Sequence, residues 1–142
     1  MRASSDAGWE LLEHTADVGI RAWAPSTPEA FERAGRALVE LMGAGAAARA
    51  ESRRLSVHGE DHAGLLVAFL NDLLWLHESS GRGFASVDVI AVSENTLLAE
   101  VELGAMPDPA PEGLGVKAAT YHQVHVGRCE GGGVEVRVFL DV

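Results

Sequence analysis

The stretch from 62 to 78 constrains the fold of this chain more than any other part of the sequence. Large apolar residues occupy so many of its positions that they cover most of the circumference of a helix: Leu65, Leu66, Val67, Phe69, Leu70, Leu73, Leu74 and Leu76. A helix that is apolar on nearly all sides is stable only when other elements surround it. We therefore expect a central core helix, capped at its start by Asp61.

The remaining pattern predicts one further helix and several strands. Thr27 is expected to cap the first helix, with Pro28 at the first helical position, and Gly43 is expected to end it. Strands are predicted over 9–12, 18–23, 54–58, 84–92, 96–103, 117–126 and 134–142. This order indicates an α+β fold with a mixed or antiparallel β-sheet and two main helices. We expect a single domain over 1–142, with 1–8 as a flexible leader.

Charge and cysteine content limit which partners and which cellular compartment we expect. The chain has 11 Lys plus Arg against 21 Asp plus Glu, a net charge of -10. This balance opposes the phosphate backbone, so we expect no direct binding of nucleic acid, whereas cations and basic protein surfaces suit it. Cys129 has no second cysteine to pair with, and no run approaches the ~20 apolar residues of a membrane helix. A cytoplasmic protein without a membrane partner is expected.

Two clusters of polar residues are candidates for chemistry. The first is Glu13-His14-Thr15-Ala16-Asp17, in a tight connection between two predicted strands, and the second contains Lys117, Thr120 and His122. Taken alone, each pattern is weak, because His and Asp beside a turn more often hydrogen-bond the backbone than bind a ligand. No phosphate-binding loop, nucleophile elbow or zinc-binding helix motif accompanies them.

The end of the chain offers a less common arrangement of carboxylates. Asp141 adds its side-chain carboxylate to the main-chain carboxylate of Val142, at the end of a strand with regular alternation. Carboxylates held close together repel one another, and a hard divalent cation relieves that repulsion. Asp17 would complete such a site. The alternative interpretation is an ordinary solvated chain end.

Taken together, these motifs resemble those of the archease family, and the resemblance runs almost from end to end. The matching stretches are 13–20, 30–31, 37–38, 41–42, 65–67, 70–74, 116–122 and 139–142. They include His14-Thr15-Ala16-Asp17, then Lys117 to His122 with the pattern Lys-Ala-x-Thr-Tyr-His, and the closing Asp141-Val142. No single piece is specific, but the combination in this order is.

The resemblance implies a function, a cofactor and a partner. Archeases are accessory factors for the RtcB-type GTP-dependent RNA ligase, which joins RNA ends in tRNA splicing and RNA repair. By this resemblance the protein would promote guanylylation of the ligase and its repeated turnover, and would catalyse no reaction itself. The family's metal site carries over to Asp17, Asp141 and Val142, with calcium as the expected ion. Glu13, His14, Lys117, Thr120 and His122 would then surround the metal or face the ligase.

Two other functions stay open at this stage. A stand-alone metal-dependent hydrolase would use His14 or His122 as a general base and the cation to activate water. A general chaperone would need sizeable exposed apolar patches. The open coordination position and the substrate pocket of a hydrolase are not visible in the sequence. Nothing in the sequence requires a chaperone activity.

Overall fold

A computed structural model describes residues 7–13 and 17–142, apart from the side chain of Glu13. Residues 1–6 of the predicted leader lie outside the described residues. Its last residue, Gly8, is the first residue of β1 rather than part of a leader. The elements in chain order are β1 (Gly8–Glu13), β2 (Asp17–Ala24), α1 (Thr27–Met42), β3 (Glu51–His58), α2 (His62–Ser80), β4 (Gly83–Val92), β5 (Thr96–Gly104), β6 (Ala118–Arg128) and β7 (Val134–Asp141). The fold is α+β, as predicted.

The strands form two antiparallel sheets rather than one. The first sheet has the order β1-β2-β7-β6, and the second has the order β3-β5-β4. Adjacent strands are antiparallel in both sheets. The last strand, β7, therefore lies in the middle of the first sheet and joins β2 to β6.

Both helices lie against both sheets. Helix α1 packs on β2 and β4, and α2 packs on β6 and β3. Leucines and Phe69 are buried around α2, which confirms its role as the core helix. Asp61 caps it as predicted, because its Oδ1 accepts a hydrogen bond of 2.7 Å from the backbone N–H of Gly64. Among the described residues, no helix is long and apolar enough to cross a membrane.

The start of α1 differs from the prediction by one residue. Ser26, not Thr27, is the N-cap: its backbone is extended, with φ −133° and ψ 161°, and its Oγ accepts from the N–H of Glu29. The same hydroxyl donates to Glu29 Oε1 at 3.0 Å, which ties the first turn together from both ends. Thr27 is already helical. Gly43 ends the helix in the left-handed region, as expected.

Candidate functional site

Asp17 and Asp141 meet on the outer face of the four-stranded sheet. Asp17 is the first residue of β2 and Asp141 the last of β7, and the antiparallel register places them directly opposite each other. Side chains at directly opposed positions share one face, with Cβ atoms about 4.5–5.5 Å apart. The fold therefore brings together two carboxylates that are 124 positions apart along the chain (141 − 17).

Within residues 7–12 and 17–142, no lysine or arginine ion pair neutralises this carboxylate pair. Like charges directly opposite one another on a sheet destabilise it. In the described part of the chain, the ion pairs of the lysine and arginine side chains involve neither carboxylate. The next residue across the sheet is Ala118, opposite Asp141, and its methyl group brings no charge. Carboxylate oxygens that no cationic side chain neutralises are suitable ligands for a hard divalent ion.

The other predicted ligands and neighbours are only partly described. Val142 directly follows Asp141 and is exposed. His14 and the side chain of Glu13 lie outside the described residues. No group of three or more His, Cys, Asp or Glu side chains within residues 7–12 and 17–142 could hold a metal ion. The candidate set differs from such a group, since its third ligand would be a main-chain carboxylate.

An aromatic contact lies one row further along the same face. Phe139 alternates with Asp141 on β7, and it is buried although it points to the outer face. Gly19 lies opposite Phe139 and makes room for it: a Cβ at Gly19 would come within 2.8 Å of the Phe139 ring. The ring of His122 meets Phe139 edge-on, with centroids 6.1 Å apart. His122 is thus on the same face as the carboxylates.

Strand β6 reaches this face in two separately paired parts. Thr120 is opposite Phe139 and His125 is opposite Arg137, so residues 121–124 stand against the single residue between those partners. We call residues 121–124 the β6 bulge. Gln123 has a positive φ of 53°, and Tyr121 is 67% exposed. Bulges of this kind redirect side chains and are frequent beside functional sites.

Backbone and side-chain hydrogen bonds attach the first part of β6 to β7. The N–H of Lys117 donates to the carbonyl of Asp141 at 2.7 Å. Thr120 Oγ1 donates to the carbonyl of Phe139 at 3.0 Å. Lys117 and Thr120 therefore adjoin the residues that carry the carboxylate and the aromatic contact.

Asn71 of α2 adds a contact that the sequence analysis did not single out. Its Oδ1 accepts from the N–H of Ala119 at 2.8 Å, and its Nδ2 donates to the carbonyl of the same residue at 3.2 Å. The side-chain amide bonds the N–H and the carbonyl of Ala119 as the backbone of a neighbouring strand would. The signal in the sequence was a polar amide in the leucine-rich middle of α2, between Leu70 and Asp72. Partial burial raises the pKa of the carboxyl of the adjacent Asp72.

A compact set of ion pairs occupies the opposite end of this face. Arg21 donates to Glu10 at 2.7 Å and forms a closer contact with Glu135. Its guanidinium also lies 4.9 Å from the centre of the Trp23 ring. Arg21 is thus neutralised by two carboxylates of its own and does not compensate Asp17 or Asp141.

Two cavities lie away from the carboxylate pair, at the start of α2. Their volumes are about 430 Å³ and 620 Å³, and both are lined by Glu60, Asp61 and Ala63. The larger one extends to Tyr121 of the β6 bulge. Neither Asp17 nor Asp141 lines either cavity.

Fold and site together define a small α+β protein with two antiparallel sheets, two helices packed against them and a carboxylate pair where β2 and β7 meet. The model of the Archease protein family (MTH1598/TM1083) matches residues 9–142. The chain belongs to this family. It is 35% identical to the protein archease of Pyrococcus abyssi over 123 residues, which cover 83% of this chain and 87% of that protein. It is 31% identical to the archease-like protein of Drosophila melanogaster, covering 94% and 90% of the two chains.

Two solved structures share the fold of this chain. The solution structure of protein 1598 from Methanobacterium thermoautotrophicum superimposes with a TM-score of 0.75 at 27% identity, covering 95% of this chain and 99% of that one. The crystal structure of an archease from Thermotoga maritima, described as a possible chaperone, has a TM-score of 0.64 at 22% identity, covering 94% and 96%. The α+β fold is shared with both.

Proposed function

We propose that this protein is a metal-binding accessory factor that activates an RtcB-type GTP-dependent RNA ligase. It would promote guanylylation of the ligase and repeated turnover in tRNA splicing or RNA repair, without forming a covalent bond itself. The observation that carries the proposal is the direct cross-strand pairing of Asp17 and Asp141 in a member of the archease family.

Asp17, Asp141 and the main-chain carboxylate of Val142 would hold the metal ion, with calcium as the expected species. A bound divalent ion would neutralise the carboxylates and fix the end of β7 to the start of β2. Contacts with β7 hold Lys117, Thr120 and His122 next to this end of the sheet. Glu13 and His14 are proposed to lie beside them.

The charge of the molecule supports a role beside RNA rather than on it. With a net charge of -10, the protein has little affinity of its own to offer a phosphate backbone. The same charge favours docking on a basic surface, such as the rim of a channel that holds RNA on a ligase. We therefore propose the ligase as partner, without direct contact to nucleic acid.

A chaperone activity is the second candidate, because the Thermotoga maritima relative is described as a possible chaperone. Several large apolar side chains are exposed here, including Trp75, Ile90 and Tyr121. A chaperone of general scope would suppress the aggregation of unrelated proteins without a ligase or GTP. Light scattering of a heated client protein distinguishes this activity from the proposed one.

Single-turnover guanylylation of a purified cognate ligase tests the main proposal. The rate is measured with GTP, with and without this protein, and with the variants Asp17→Asn and Asp141→Asn. We expect stimulation by the wild type and its loss in both variants, because each removes one carboxylate charge from the site. Asp88→Asn is the matched control, since Asp88 is also a strand aspartate but lies on the second sheet, paired with Arg36.

Two outcomes would contradict the proposal. One is the absence of any stimulation by the wild-type protein. The other is full stimulation by Asp17→Asn, which would separate activation from the carboxylate pair. Hydrolysis of phosphoesters by the protein alone, abolished by a chelator, would instead indicate a metal-dependent hydrolase.

A further inference from the structure

We infer that Asn71 is a positioning residue for the proposed activation, and that it acts by holding the β6 bulge in place beside the carboxylate pair. This inference rests on the proposed function. It assigns a task to a residue of α2 that touches neither the carboxylates nor the exposed face of the sheet.

The contact has the form of a strand pair. One amide group satisfies both the N–H and the carbonyl of Ala119, at 2.8 and 3.2 Å. These two backbone groups are therefore not the ones that join β6 to β7, and the amide covers an edge of β6. Asn71 is itself rigidly placed, because α2 is buried around it by Leu70 and Leu73.

The contact lies just before the β6 bulge, so it can affect the position of the bulge. Ala119 is followed by Thr120, the last residue paired with β7 before pairing resumes at His125. Asn71 thus fixes the strand immediately before the β6 bulge. Without the amide, the backbone at the start of the bulge would keep its hydrogen bonds to β7 but lose those to α2.

The side chains that the bulge presents are suited to contact a partner. Tyr121 is 67% exposed, and His122 and Gln123 are exposed as well. Misplacing a preorganised group by about 1 Å is enough to cost on the order of 100-fold in rate. A tie from the core to the base of the bulge is therefore expected to affect activation strongly.

The register that brings the two carboxylates together is set by β2 and β7. Asp17 and Asp141 lie on β2 and β7, and their register involves no contact with Asn71. Loss of the amide should therefore leave metal binding intact while it impairs activation. A residue that only stabilised the fold would weaken both together or neither.

Asn71→Ala tests this separation. Calcium binding to the whole protein is measured by calorimetry with calcium chloride alone, and ligase guanylylation is measured over a range of protein concentrations. We expect unchanged calcium affinity and a loss of stimulation of about 10-fold to 100-fold. Amide hydrogen exchange should report faster exchange at Ala119 and in residues 121–124.

Asn95→Ala is the matched control. Asn95 also uses its side-chain amide to bond the backbone, donating to the carbonyls of Gly59 at 3.2 Å and Glu60 at 3.1 Å. It belongs to the turn between β4 and β5, and its removal should leave both calcium binding and stimulation unchanged. Equal losses in the two variants would overturn the inference.

A second variant covers the case in which Asn71→Ala does not fold. Asn71→Asp keeps an acceptor for the N–H of Ala119 but cannot donate to its carbonyl when ionised. We expect this variant to fold and to lose stimulation. Full stimulation by folded Asn71→Asp would overturn the inference alone, whereas absence of stimulation by the wild type would contradict the proposed function on which it rests.

Discussion

At the scale of single residues, the register between β2 and β7 is the feature with most consequence. It sets Asp17 directly against Asp141, where two negative charges share one face of the sheet. Such an arrangement costs stability unless a cation compensates it. The sign of the effect of removing one charge should therefore depend on whether the metal is present.

We predict a reversal of sign for Asp17→Asn. In EDTA the variant should be more stable than the wild type by about 0.2–1 kcal/mol, because a like-charge pair is removed. In calcium the wild type should become the more stable, since a ligand at 100 times its Kd adds about 2.7 kcal/mol to the folded state. Urea denaturation under both conditions measures the two differences.

Asp88→Asn serves as the reference in the same experiment. Asp88 is an exposed strand aspartate paired with Arg36, so its substitution should have the same small effect with and without calcium. A wild-type protein that gains no stability from calcium would contradict the proposed metal site.

At the scale of elements, the beginning of α1 shows how one residue decides where a helix starts. Ser26 and Thr27 are both good N-cap residues, and Pro28 is tolerated at either of the first two helical positions. The deciding partner is Glu29, which bonds Ser26 through both its N–H and its carboxylate. A cap at Thr27 would forgo this reciprocal arrangement.

We predict that the two neighbouring hydroxyl residues differ in their contribution to stability. Ser26→Ala should lower the free energy of unfolding by about 1 kcal/mol, because it removes the acceptor of the first turn. Thr27→Ala should cost clearly less, since Thr27 is already in the helix. Chemical denaturation of both variants makes the comparison, and a larger loss for Thr27→Ala would contradict the assignment of the cap.

Local patterns were sufficient for the elements but not for the irregular part of β6. Leu65 to Leu76 identified α2, and alternation identified β7, because both signals arise from burial of one contiguous segment. The β6 bulge has no such signal. Its register is set by the pairing with β7, and Asn71, which bonds the strand just before it, lies 48 positions earlier in the chain. Asn71 was missed for the same reason, since an amide in a helix says nothing about the strand that it will meet.

At the scale of the whole molecule, acidic residues outnumber basic ones, with 21 Asp plus Glu against 11 Lys plus Arg. Arg36, Arg49, Arg53, Arg54 and Arg82 are engaged in surface ion pairs, whereas the pair of Arg21 with Glu135 is partly buried. Exposed pairs of this kind contribute about 0–1 kcal/mol each. The excess of acidic residues remains, with a net charge of -10, and it opposes the compact state by mutual repulsion.

We predict that monovalent salt stabilises the protein when no divalent metal is present. Screening weakens both the ion pairs and the general repulsion, but the repulsion is the larger effect in a chain with so large a net charge. The melting temperature in EDTA should rise with added KCl and level off near about 0.15 M, where the screening length is about 8 Å. A steady fall over this range would show that the ion pairs dominate.

The arrangement of the sheets was less accessible from sequence than the elements themselves. Hairpins such as β4–β5 are local, because a short turn at Ser93 to Asn95 joins the two strands. The pairing of β7 with β2 is non-local, because these two strands lie near opposite ends of the described chain. The closeness of Asp17 to Asp141 followed from the family resemblance before the structure supplied the register.

The central place of β7 has a consequence for how the protein is made. Until this strand emerges from the ribosome, β2 and β6 have no shared neighbour, so the first sheet can exist only as the β1–β2 hairpin and an isolated strand. Synthesis proceeds from the amino terminus, and the middle of the sheet is therefore the last piece supplied. The two aspartates come to face each other in the same step, so the proposed calcium site would form in a nascent chain only once β7 has paired with β2.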